Sequence, residues 1–166
     1  MSIRITWAYG SDGGPPAACE LESDSIEASL QSAAQRALRH GSATGLVVDF
    51  ILVDDDALTE LHARFLDDSS PTDVIAFDLR SPDLDLEGDA GPEAEIYISL
   101  DCALRVSKER EVSFLRELSL YAVHGVLHLC GWDDHSSLDR DAMRAAERVV
   151  LHDLGFDEDL LPHEGS

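Results

Sequence analysis

Two histidines four residues apart, His124 and His128, lie in an apolar run that Gly131 interrupts three residues later. On a helix, residues i and i+4 share one face about a turn apart, so both imidazoles can reach a single ion. Glycine ends a helix by taking the left-handed conformation, and the chain then turns back. Asp134 and His135 follow within that turn. Two histidines, a third N or O donor and an open fourth position compose a catalytic zinc site. A His pair alone recurs on helices by chance; the helix stop and the third donor make the pattern specific.

Zinc proteases of the zincin type share the spacing as His-Glu-x-x-His, where the Glu is the general base. Here that position is Gly125, so the protease base is absent. Structural zinc sites usually close with four protein ligands and favour thiolates. Cys130 is the one thiol nearby, on the flank facing away from the His pair. A zinc-dependent hydrolase of another substrate and a structural zinc-binding domain are the competing function classes.

The block His124-Gly125-Val126-Leu127-His128-Leu129-Cys130-Gly131-Trp132-Asp133-Asp134-His135 resembles the signature of the YbeY family of bacterial rRNA-maturation endoribonucleases. Pro71-Thr72-Asp73-Val74-Ile75-Ala76-Phe77 is similar to a second block of that family, and Glu95-Ile96-Tyr97-Ile98-Ser99 to the strand preceding its metal helices. The resemblance spans about residues 45–155. It implies a metal-dependent single-strand endoribonuclease that matures the 3′ end of 16S rRNA and serves ribosome quality control. The implied partners are rRNA and the small-subunit precursor, with neither DNA nor a membrane. Three departures stand out. The family's third His falls ten residues after the first, where this chain has Asp134. An Arg five residues before the Pro is replaced by Leu66, and the Gly before the Glu95 strand is Ala94.

The third ligand therefore has two candidates. Counting from His124 points to Asp134; ligand chemistry points to His135. A turn absorbs one extra residue at small entropic cost, and three neutral histidines leave the metal its full charge for ionising water. The expected set is His124, His128 and His135, with Asp134 as the alternative, holding one Zn2+ per chain. Phosphodiester cleavage also needs a cation near the phosphate. Arg64, nearest the Pro-Thr-Asp-Val block, is the candidate catalytic and substrate-binding cation, beside His124 and His128. Arg105 and Lys108, in a cluster with Arg110 and Arg116, are further substrate-binding candidates. Asp73 is read as a turn cap, Asp133 as a partner of a His ring or a turn residue, and Trp132 as packing. His40, His62, His152 and His163 match no ligand pattern.

A formal net charge of −22, with 12 basic residues against 34 acidic ones, opposes binding to a polyanion. A length of 166 residues at 44% hydrophobic content suffices for one buried core. No apolar run approaches the ~18 residues of a membrane span. Met1–Trp7 reads as a strand without a signal-peptide core, so a cytoplasmic location is expected. Cys19, Cys102 and Cys130 are expected as free thiols.

Periodicity gives strands at 2–8, 45–53, 73–77 and 95–99. It gives helices from Ser25 to about His40, after Asp54-Asp55, from Asp101 to about Lys108, over 112–129, and from a capping box at Ser136 to Gly155. Leu58, Leu61, Phe65 and Leu66 are the expected apolar set of the second helix. Residues 81–91 read as an acidic loop and 160–166 as a flexible tail. The expectation is one α/β (α+β) domain over 1–166: a small mixed sheet against a helical layer carrying the metal helix.

Overall fold

The computed structural model describes residues 2–11, 13–43, 45–67, 72–80 and 93–156. The acidic loop 81–91, the tail 160–166 and Pro71 lie outside these. The strands are β1 (Ser2–Trp7), β2 (Val47–Val53), β3 (Val74–Asp78) and β4 (Ala94–Ser99). The helices are α1 (Ser23–His40), α2 (Asp55–Leu66), α3 (Leu100–Arg110), α4 (Phe114–Leu129) and α5 (Ser137–Asp153). The sheet order is β1-β2-β4-β3; the first three strands are parallel and β3 runs antiparallel to β4. This is the mixed sheet and helical layer that the sequence predicts.

Alternation along β2 divides the core. Val48, Phe50 and Leu52 join Ile96 and Ile98 of β4 beneath α1 and α4, with Met143, Val150 and Leu151 of α5 in the same cluster. Ile51, Val53 and Ile75 face the other way, onto Leu58 of α2. Each fully buried aliphatic or aromatic side chain of this kind contributes about 1.5–3 kcal/mol. Among the described residues, no helix is long and apolar enough to cross a membrane.

The helix starts follow from short polar side chains. Asp54, Ser99, Ser113 and Ser136 each accept a hydrogen bond from a backbone N–H three residues on, at 2.8–3.1 Å, opening α2, α3, α4 and α5. Helix α1 begins at Ser23, two residues earlier than expected, and its cap residue Glu22 makes no side-chain cap. Phe65 and Leu66, expected in the apolar set of α2, are exposed at 59% and 53%. Phe65 still packs edge-on against Phe77 of β3, with ring centroids 5.7 Å apart, but at the open margin of the sheet.

Helix α4 passes very close to the sheet at Gly125. A Cβ there would stand 3.0 Å from Cγ2 and 3.2 Å from Cδ1 of Ile96. The position of the protease base is thus occupied by the helix–sheet contact and has no room for a Glu side chain. Replacing Gly125 by Glu should overpack this contact and bury an unpaired charge. The expected loss is about 3 kcal/mol or more in urea unfolding, with no peptidase activity gained.

Candidate metal centre

Apart from Leu115, His124 and His128 are the only α4 residues not buried. They are the helix's contribution to a cleft of about 710 Å³ that also touches Asp73, Arg105, Asp134 and Leu66. The His124 and His128 Nε2 atoms are 3.0 Å apart. Asp134 Oδ2 lies 3.7 Å from the first and 3.5 Å from the second. Donors held about 2.0–2.1 Å from a tetrahedral ion are about 3.4 Å from one another. The three atoms therefore mark one face of such a tetrahedron, with the cleft on its open side.

The tautomers follow from the partners. His128 Nδ1 lies 3.0 Å from the Trp132 carbonyl oxygen, which can only accept, so Nδ1 carries the hydrogen. His124 Nδ1 lies 2.6 Å from the carboxylate of Glu147, a buried residue of α5. Both rings thus donate from Nδ1 and turn Nε2 toward the same point. Two imidazole nitrogens 3.0 Å apart need a cation between them, either a proton carried on His124 Nε2 or a metal ion, and with Asp134 beside them the donor set fits a metal ion. Burial opposes charging of His124, but the hydrogen bond and charge of Glu147, with Asp73 and Asp134, outweigh it and hold its pKa above the ordinary imidazole value. Burial and the adjacent His124 push His128 below that value.

The helix stop itself orients His128. Gly131, at φ +94°, donates its N–H to the His128 carbonyl, and Trp132 donates to the Leu127 carbonyl, each at 3.0 Å. This pair of bonds is a Schellman motif. It swings the Trp132 carbonyl back onto the His128 ring. The Trp132 indole packs against His40, with centroids 5.8 Å apart, as expected of a packing residue. Cys130 points away: a Cβ at Gly41 would meet its Sγ at 2.6 Å, so the thiol lies against the end of α1. Cys19, Cys102 and Cys130 are all unbridged.

The structure brings Asp134, not His135, to the pair. Exposure alternates along Asp133, Asp134 and His135, with only the middle residue half-buried. Successive side chains of an extended segment point to opposite sides, and Ser136 is already committed to capping α5. His135 is 88% exposed at the cleft rim, its Nε2 3.3 Å from Asp133 Oδ1. The expected bulge that would carry His135 inward is not formed.

The expected cations are redistributed as well. Arg64 does not line the cleft; its guanidinium lies over the ring of neighbouring Phe65 on the exposed side of α2. His62 and Leu66, one turn apart, hold the cleft face instead, and Arg64 lies between them on the opposite side. Arg105 does line the cleft, paired with Asp55 at 2.9 Å. Lys108 is exposed and outside the lining. Arg116 is buried, with its guanidinium on Glu117, so it is no part of a surface cluster. Asp73, read as a turn cap, stands on the cleft wall.

Sequence reasoning missed Glu147, Arg140 and Arg144. All three line a second, smaller cavity beside His124 and Asp134. The available signal was the i, i+3 and i+4 relation of positions 140, 143, 144 and 147, which places them on one α5 face.

The profile of the family described as Endoribonuclease YbeY matches residues 17–155. The Endoribonuclease YbeY of Symbiobacterium thermophilum is 37% identical over 133 residues, covering 76% of this chain and 85% of its own. That of Moorella thermoacetica is 36% identical over 132 residues, covering 76% and 83%. The solution structure of TM1509 from Thermotoga maritima superposes with a TM-score of 0.51 at 24% identity, covering 98% of this chain and 99% of that one, a likeness of fold.

Removing the carboxylate that orients His124, by Glu147→Gln, should weaken metal binding by about 10–100-fold. Competition with a chromogenic chelator measures this, with circular dichroism as the check that the fold persists.

Proposed function

The chain belongs to the YbeY endoribonuclease family, and from that premise we propose how its own residues perform metal-dependent cleavage of RNA in rRNA processing. The observation that carries the reading is the triangle of His124 Nε2, His128 Nε2 and Asp134 Oδ2, open on one side to the cleft. These three would hold one Zn2+. When bound, the ion supplies a water of lowered pKa and a Lewis acid for a phosphoryl oxygen. Glu147 and the Trp132 carbonyl keep the two rings oriented. Asp73, on the wall of the cleft beside His124, is placed to accept a proton. The substrate is single-stranded, because a concave site between helices admits a flexible strand. The small-subunit rRNA precursor is the proposed substrate, and the cytoplasm the compartment this requires.

Against a peptidase, Gly125 lies against Ile96 and leaves no side chain where a zincin needs its base. An all-protein structural site would need a fourth ligand; among the described residues the group on the His pair is His124, His128 and Asp134, and the second group, Asp133, Asp134 and His135, shares only Asp134 with it.

Purified protein should carry one zinc per chain by elemental analysis and should cut single-stranded RNA but not casein. His128→Ala should abolish both the metal and the cleavage. Two ions per chain, or chelator-sensitive peptide cleavage without RNA cleavage, would overturn the reading.

A paired comparison identifies the third donor. Asp134→Ala should lose metal by orders of magnitude, whereas His135→Ala should keep most of it. The reverse result would mean that metal draws His135 in from the rim.

A further inference from the structure

Arg140 and Arg144 stand one turn apart on α5 and line the small cavity beside the candidate metal centre, a space of about 50 Å³ bordered by Asp73, His124, Asp134 and Glu147. Both are half-buried. Arg140 donates to the His135 carbonyl at 3.3 Å, which ties it to the loop carrying Asp134. Arg144 has no hydrogen bond or ion pair from its guanidinium among the described residues. Three carboxylates stand around the same cavity without holding it. Across the cleft, Arg105 is half exposed and committed to Asp55, Arg64 faces away, and the wall is Leu66. A phosphodiester reaching the metal centre of a chain with net charge −22 meets carboxylates first. Among the described residues, the uncommitted cation within the site is Arg144.

We propose that Arg144, supported by Arg140, is a backbone-phosphate subsite in this small cavity, receiving a phosphate of single-stranded RNA on the α5 side of the metal centre. A guanidinium presents a planar fork of N–H donors that matches two non-bridging phosphate oxygens. Arg140 fixes the adjoining loop and completes the positive side of the cavity. The inference rests on the endoribonuclease reading and deepens it by assigning the phosphate-binding cation to α5 and not to α2.

The test uses the purified full chain with zinc and a fluorescein-labelled single-stranded oligoribonucleotide, with affinity measured across a salt series. Each phosphate contact on a single strand contributes about 0.7 to the slope of log affinity against log salt. Arg144→Gln should lower that slope by about 0.7 and weaken low-salt binding about tenfold. It should leave bound zinc and Tm unchanged, and Arg144→Lys should recover part of the affinity. Arg148→Gln makes the same change in net charge on the exposed side of α5 and should leave the slope as it is. If Arg144→Gln does not fold, Arg140→Gln replaces it and should weaken binding in the same direction. Wild-type protein that cuts RNA while Arg144→Gln keeps the wild-type slope, or matches Arg148→Gln, would overturn the subsite alone. Zinc-loaded wild-type protein that neither binds nor cuts RNA would overturn the endoribonuclease reading, and the subsite with it.

Discussion

Helix α4 packs against β3, β4, α1, α3 and α5, and 13 of its 16 residues are buried. Such an environment leaves little latitude: interiors are packed as densely as organic crystals, so the helix has one position and one rotation. The contact of Gly125 with Ile96 sets its height above the sheet. With rotation and height settled, His124 and His128 come to the strip of α4 that the fold leaves open toward the cleft. The rest of the site is arranged around that strip.

Each imidazole then needs a partner for its second nitrogen, and the fold supplies two of different kinds. For His128 the partner is local, the Trp132 carbonyl, delivered by the same turn that terminates the helix. For His124 it is distant, Glu147 on α5. The first survives as long as the helix ends where it does. The second depends on α5 docking correctly, so the site is complete only when the last helix has packed. Ser136, capping α5, also limits where the loop 132–135 can run, and thereby selects which of two adjacent side chains faces the histidines.

Charge is the remaining tension. A surface this acidic repels RNA at long range, and the carboxylates beside the cleft sharpen the repulsion. The cations that matter are those held inside the concave surface, where water is partly excluded and a single guanidinium counts for more than one on an open helix face. On the proposed subsite, a strongly acidic chain acts on a polyanion by confining attraction to the site.

The sequence alone determined the order and type of nearly all the elements, because hydrophobic period and capping residues are local properties. It also determined that the two histidines share a face and that Gly131 ends their helix, since both follow from helix geometry and from glycine's access to φ of +94°. The family was legible for the same reason, being carried by short contiguous blocks. The placing of Asp134 rather than His135 beside the His pair, the partnership of Glu147 with His124, the burial of Arg116, and the turning of Arg64 away while Arg140 and Arg144 line the smaller cavity were decided only by tertiary structure. Each depends on how one element rotates against another, and residues far apart in the chain set that rotation through packing.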